Sequence, residues 1–335
     1  TTEIYTLSLH DALPIYWRIK ARACGRCPVG RMQRGRRGFR DLWSTPSGTR
    51  SAQPQPCFEY NSWTFDMIRN VLTIAGSDPS GGAGVQADLK AFAANGVYGL
   101  AAITALTAQN TQGVSGVELI APSFVKAQIA AVFADVRIDA VKVGMIATSE
   151  IAVAVAQALS HHQDIPIVLD PVMVAKGGAP LLQDDAMEAL RVSLLPLATV
   201  LTPNLPEAAR LLNRREAATR DAMAAHARDL SDLGPNVTLV KGGHLNGDQS
   251  PDVLWDGIHL HWFEAARMQT RNTHGTGCSL SSAIAAQLAK GLVPSAAVAA
   301  AKQYISGAIA AADLLTVGRG NGPVHHFYNL WKEKT

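Results

Sequence analysis

From Met67 onward, apolar and polar positions fall into two alternating kinds of segment. Short apolar runs occur at 70–75 (NVLTIA), 100–106 (LAAITAL), 140–144 (AVKVG), 166–170 (PIVLD), 198–202 (ATVLT) and 237–241 (VTLVK). Runs this short, with few polar interruptions, suit strands buried on both faces. Longer stretches with a helical period lie between them, at 82–95, 122–134, 148–160, 184–195, 204–212 and 219–232. A further helix is predicted within 272–291, where Leu280, Ile284 and Leu288 recur every fourth residue among alanines and Gly291 and Pro294 punctuate the far end. Strand and helix in alternation imply a mostly parallel sheet with helices on both faces, and ligands beyond the carboxyl ends of its strands.

Residues 1–66 do not continue this pattern. They show no sustained period of 2 or 3.6, and SGTRSAQPQP has the composition of a disordered tract. The opening TTEIYTLSLHDALPI resembles translated sequencing-adaptor DNA, so 1–66 is expected to be a non-native or disordered extension, with the domain running from 67 to 335. This matters for the charge. The whole chain carries +3, but 1–66 holds ten basic and five acidic residues, which leaves the remainder at −2. A basic footprint for nucleic acid would have to lie in RMQRGRRGFR (31–40), which no fold signature supports, so no nucleic-acid partner is expected. Cys24 and Cys27 form a CxxC with no second ligand pair of zinc-site spacing. No run of about 18 uncharged apolar residues suggests a membrane span, and a cytoplasmic protein is expected.

Chemistry-bearing residues collect at the predicted strand ends. GSDPSGGAGVQAD (76–88) leaves the first strand through a glycine-rich turn without the GK[ST] ending of a Walker loop; its Asp78 and Asp88 can accept hydrogen bonds from ligand amino groups, or the stretch is turn chemistry alone. Gln109 follows the second run, and its amide suits the edge of a nitrogen heterocycle. LDPVMVAKGGAPLL (169–182) offers Asp170 for magnesium and Lys176 on a glycine-bearing flap able to close on phosphates, or is a solvated loop. In TPNLPEA (202–208), Asn204 and Glu207 have capping-box spacing, while the same carboxylate can serve magnesium or its waters. VKGGH (240–244) ends a strand in Lys241 and paired glycines, as a phosphate contact or a plain turn. In NTHGTGC (272–278) the glycines open a helix whose unpaired N–H groups and dipole accept an anion. The same potential is expected to lower the pKa of the Cys278 thiol, unless that cysteine is simply a small buried hydrophobe.

The order of these motifs is more specific than any one of them. TIAGSDPSGGAGVQADLK, ITALTAQNTQGV, KVGM, LDPVM, TPNLPEA, VKGGH and NTHGTGCSLSSAIAA, followed by GPVHHF, make residues 67 to about 331 resemble the bacterial hydroxymethylpyrimidine/phosphomethylpyrimidine kinases of the ribokinase-like superfamily. The resemblance implies a three-layer α-β-α sandwich and an ATP-dependent kinase of thiamine biosynthesis. Such a kinase phosphorylates 4-amino-5-hydroxymethyl-2-methylpyrimidine and then its monophosphate. It further implies Cys278 as the base, in place of the aspartate that ends this motif in most relatives. The backbone around Gly275 and Gly277 would form an anion hole. Gln109 would read the pyrimidine with Asp88, Gly76 and Met145; Lys241, Thr273, His274 and Thr276 would lie on the ATP side; Glu207 and Asp170 would act through Mg2+. A homodimer is implied as well. A pyridoxal or dual-specificity vitamin kinase, and a pyrimidine or nucleotide sensor without catalysis, remain open alternatives.

Overall fold

The computed structural model describes residues 67–174, 178 and 181–331; the extension 1–66 and Lys176 therefore lie outside the described residues. Ten strands are described: β1 (Asn70–Ala75), β2 (Tyr98–Ile103), β3 (Ala105–Asn110), β4 (Gly113–Leu119), β5 (Ala140–Val143), β6 (Ile167–Leu169), β7 (Val200–Leu201), β8 (Val237–Lys241), β9 (Asp252–Trp255) and β10 (Leu260–Phe263). The helices are α1 (Gly84–Ala94), α2 (Pro122–Asp135), α3 (Ser149–Leu159), α4 (Asp184–Ala189), α5 (Leu205–Leu212), α6 (Arg220–Ser231), α7 (Thr276–Ala289) and α8 (Pro294–Ala310).

Eight strands form one sheet in the order β10-β9-β8-β7-β6-β5-β1-β2, parallel from β8 to β2 and antiparallel at β8–β9 and β9–β10. Successive side chains of a strand point to opposite faces, and here both faces are apolar. Leu72, Ile74, Val141, Val143, Ile167 and Leu169 pack under α2, α3, α5 and α6 with Ile129, Val155, Leu211 and Met223. Val71, Ala140, Val168 and Val200 pack on the other side with Phe92 of α1, Ile284 of α7 and Val298 of α8. This is the three-layer α-β-α sandwich with a mostly parallel sheet. No helix among the described residues is long and apolar enough to cross a membrane.

The sequence reading differs from the structure where the chain leaves the sheet. The run 100–106 is divided between β2 and β3 at Thr104, whose N–H still donates to Ala75 (3.0 Å) while its hydroxyl donates to the carbonyl of Met145 (2.7 Å). Beyond it, β3 and β4 form a separate antiparallel hairpin, so Gln109 lies on a hairpin strand and not in a loop. The predicted helix 184–195 ends its α-helical part at Ala189 and continues as a π-type turn, Leu190–Leu194. The periodicity reading omits β4, β9, β10 and α8. Pro294, taken there as a stop, is also the first residue of α8, the position where proline is best tolerated in a helix.

Candidate active site

Two glycine loops interlock at the carboxyl end of β1. In the first, Asp78 accepts from Ser80 N–H (2.9 Å) and Ala83 N–H (2.8 Å), and Val85 N–H donates to Gly76 (3.0 Å). The second ends in Gly275, the N-cap of α7, with φ +74°. A Cβ at Gly275 would stand 1.7 Å from the carbonyl oxygen of Gly82, so a side chain there would force the two loops apart. His274 completes the junction, its Nε2 lying 2.7 Å from Asp78 Oδ2 and 3.3 Å from the Gln109 amide nitrogen. His274, expected on the ATP side, thus lies against Gln109, expected to read the pyrimidine. Asp78 is spent on holding the loops together.

The loops border a cavity of about 900 Å³ whose wall includes Gly76, Gln109, Met145, Asp170, Glu207, Lys241, Thr273, His274, Thr276, Gly277 and Cys278. Gln109, Gly76 and Met145 converge on one part of it. A Cβ on Gly76 would come within 2.9 Å of Met145 Sδ, and Met145 packs with Ala105, Ala147 and Val172. Asp88, expected beside them, does not reach the wall. It is fully buried and accepts from Thr73 Oγ1 (2.6 Å), Ser282 Oγ (2.8 Å) and Lys142 Nζ (2.9 and 3.0 Å). Its carboxylate is saturated by the protein, and it stands behind Lys142, which does reach the wall.

That lysine was missed by the motif reading, although a lysine inside the apolar run AVKV has to find a buried anion. Lys142 is completely buried on β5 and lines the cavity. Gly144 leaves it room, since a Cβ there would stand 2.6 Å from Nζ. Burial works against its charge, but Asp88 raises its pKa above the usual lysine range.

Cys278, in the first turn of α7, is half-buried on the cavity wall. The expectation of a lowered thiol pKa is not met. Burial pushes the thiol up to about 11; Lys142 and the N–H of Gly84 pull it down, while Asp88 and Asp170 add to the rise. Desolvation outweighs the helix terminus because it penalises the thiolate directly, whereas the nearby carboxylates cancel much of the favourable potential.

Further along the wall, Lys241 Nζ bonds Asp170 Oδ1 (2.8 Å) and lies 4.0 Å from Glu207 Oε2. Asp170 also accepts from Thr202 Oγ1 and Ser281 Oγ (both 3.3 Å). Burial would raise its pKa, but Lys241 and Lys142 hold it below the ordinary carboxylate value. Glu207 is pushed up to about 7 by burial and by the Asp170 charge, against the pull of Lys241. Glu207 closes the expected capping box with Asn204, two bonds of 2.8 Å, and it also faces the cavity. Gly277 faces this pair, with Lys241 Nζ 3.4 Å and Asp170 Oδ2 3.7 Å from the position a Cβ would take, which are ordinary contact distances. Among the described residues no group of three or more His, Cys, Asp or Glu could hold a metal, so Asp170 and Glu207 stand as a pair.

The arrangement places an amide-bearing subsite, a thiol at a helix N-terminus and a cation between two carboxylates in one cavity. Known proteins share its framework. The family model described as phosphomethylpyrimidine kinase matches residues 78–325. The hydroxymethylpyrimidine/phosphomethylpyrimidine kinase of Salmonella typhimurium is 53% identical over 262 residues, 78% of this chain and 98% of that protein. Among solved structures, a Bacillus subtilis pyridoxal kinase in complex with ADP aligns with TM-score 0.74 and 38% identity, over 79% of this chain and 100% of that one. The phosphomethylpyrimidine kinase of Clostridium difficile aligns with TM-score 0.64 and 42% identity, over 72% and 99% respectively. With the family model matching most of the chain and the same motifs lining one cavity, this protein belongs to the phosphomethylpyrimidine kinase family.

Proposed function

We propose that this chain transfers the γ-phosphoryl group of ATP to the hydroxymethyl oxygen of 4-amino-5-hydroxymethyl-2-methylpyrimidine, and then phosphorylates the monophosphate, in thiamine biosynthesis. One observation carries the reading: Gln109, Cys278 and Lys241 face a single cavity, with the α7 N-terminus between the other two. Gln109 and Met145 hold the heterocycle, and Lys241 meets the phosphates. The first-turn N–H groups of α7, which have no acceptor within the helix, stabilise charge on the transferring group. The alcohol oxygen bonds to phosphorus as the bond to the β-phosphate oxygen breaks. ADP leaves, and the alcohol proton passes to Cys278. In a loose transition state that proton departs late, so a weakly populated thiolate is compatible with turnover.

Asp170 and Glu207 fit a magnesium site. They are two crowded carboxylates, one with its pKa raised to about 7, whose mutual repulsion a divalent cation relieves, and Mg2+ is typically held by one or two carboxylates with substrate phosphates. Bound there, the ion neutralises phosphate charge. The hairpin β3–β4 pairs with no other strand among the described residues and exposes Leu106, Val117 and Leu119 close in sequence to exposed Phe124 of α2, which supports a homodimer in which a second copy covers it.

The likeness to a pyridoxal kinase structure favours one further reading, a vitamin kinase of broader specificity. Steady-state ADP release with hydroxymethylpyrimidine, its phosphate and pyridoxal tests all of these. Higher kcat/KM for the pyrimidines is expected, preference for pyridoxal would overturn the substrate assignment, and no ADP release with any of them would leave a binding protein.

A further inference from the structure

Loop 242–251, between β8 and β9, forms the cavity wall next to Lys241 through Gly243, His244 and Ser250. Its sequence, GGHLNGDQSP, contains three glycines and few groups able to organise it, and Gly247 has φ +113°. An isolated segment of this composition would sample many conformations. Within it Leu245 N–H donates to Gly242 O (2.9 Å), and further bonds tie it to the residues around it.

The base is fixed by a buried pair. Asp252 accepts from Gly242 N–H (2.9 Å) and from Lys302 Nζ of α8 (2.7 Å), and Lys302 also donates to Ser250 O (2.7 Å). Ser250 N–H donates to Ala265 O (2.8 Å) and Gln249 bridges to Ala266, and one side chain gathers four further carbonyls. Arg267 donates through Nε to Gly247 O (2.8 Å), through Nη1 to Gly243 O (2.8 Å), and through Nη2 to Leu245 O (2.5 Å) and Gln249 O (3.1 Å). Its own N–H bonds Asp248 O (2.8 Å). The four acceptors on the side chain are all carbonyl oxygens, so they fix the guanidinium without neutralising it. Arg267 itself lines the cavity. A planar fork with five N–H donors can span four carbonyls; an ammonium, with three donors on one atom, cannot.

We propose that Arg267 is the positioning residue for the nucleotide, ordering loop 243–249 as a wall of the cavity before ATP arrives and adding there a positive charge that its carbonyl partners do not neutralise. This inference rests on the kinase reading above. Pre-ordering matters because a loop that must be ordered on binding reduces affinity by the entropy it loses.

The test uses the full chain and the variant Arg267→Lys, which keeps the charge and loses the fork. Three measurements are compared: thermal midpoint, amide hydrogen exchange over 243–249, and affinities for MgATP and hydroxymethylpyrimidine by calorimetry. With the thermal midpoint little changed, exchange in the loop should accelerate and the MgATP dissociation constant should rise about tenfold, while that for the pyrimidine stays within about twofold. Arg267→Gln, which loses both charge and fork, should weaken MgATP further. Unchanged loop exchange, unchanged MgATP affinity, or equal weakening of both ligands in Arg267→Lys would overturn the proposal. Failure of the unmodified chain to bind MgATP at all would instead overturn the kinase reading on which it rests.

Discussion

Cys278 is held between opposing influences of which burial is the largest, and its behaviour with pH exposes the outcome. With the thiol pushed up to about 11, the thiolate fraction at neutral pH is small and grows about tenfold per pH unit. Both iodoacetamide alkylation and turnover should therefore climb from pH 7 to 9; a flat turnover profile would show that the thiolate is not the proton acceptor. Cys278→Ala keeps every backbone N–H of the anion site, so KM for ATP should hold while kcat falls by about 10² to 10⁴, the usual loss of a general base. A second residue titrates through stability. His326, buried against Ser279 Oγ (2.9 Å), is pushed down to about 4 by burial, by Lys90 and by His325. Its folded pKa lies below the unfolded value, so the unfolded chain binds the proton more readily. The associated stability is complete above about pH 6.5 and is lost as pH falls toward 4, at most about 3 kcal/mol. Urea unfolding of His326→Gln at pH 7 and pH 5 should show a smaller drop than the unmodified chain. The chemistry of Cys278 was legible in the sequence as a thiol at a helix start. Its raised pKa was not, because that depends on Lys142, Asp88 and Asp170, which only the fold brings together.

At the scale of elements, the two glycines of GTGC do different work. Gly275 has a left-handed φ and a Cβ position 1.7 Å from the Gly82 carbonyl; Gly277 has neither constraint, and its Cβ would meet only Lys241 Nζ at 3.4 Å and Asp170 Oδ2 at 3.7 Å. Gly275→Ala should thus destabilise the fold by about 2 kcal/mol or more and abolish turnover as the interlocked loops separate. Gly277→Ala should melt near the unmodified midpoint, since alanine is a good helix former and its Cβ would meet Lys241 Nζ and Asp170 Oδ2 only at ordinary contact distance, and should lose activity only through the methyl it adds to the cavity wall. Equal stability losses in both would refute this division. The glycines themselves announced a turn before a helix, but nothing local showed that one of them touches the loop after β1, 193 residues earlier in the chain at Gly82. The hairpin β3–β4 was hidden for a related reason. LAAITALTA is one apolar run by composition, and the break at Thr104 is made by contacts with Ala75 of β1 and with Met145 just beyond β5. The capping box of α5, by contrast, was readable in full, because Asn204 and Glu207 are three residues apart and satisfy each other.

The whole molecule follows from alternation. Six apolar runs marked seven of the ten described strands, because these lie in the covered, parallel part of the sheet or its hairpin border. The half-exposed edge strand β10 and alanine-rich α8 give no such contrast. The site sits where the parallel strands end: Gly76, Met145, Asp170 and Glu207 follow β1, β5, β6 and β7, Lys241 ends β8, and the loop after β10 brings Thr273 to Cys278 beside them. The same logic bears on residues 1–66. The two core clusters that close the sandwich draw on residues from Val71 to Val324, and the family match begins only at Asp78. Every cavity residue named above also falls after Met67. A chain beginning at Met67 should therefore unfold at the same temperature as the full chain and turn over hydroxymethylpyrimidine with the same kcat and KM. Calorimetric melting and steady-state rates on the two chains check this. A midpoint lower by several degrees in the shorter chain would show that the extension stabilises the domain, and an altered KM alone would show that it acts at the site.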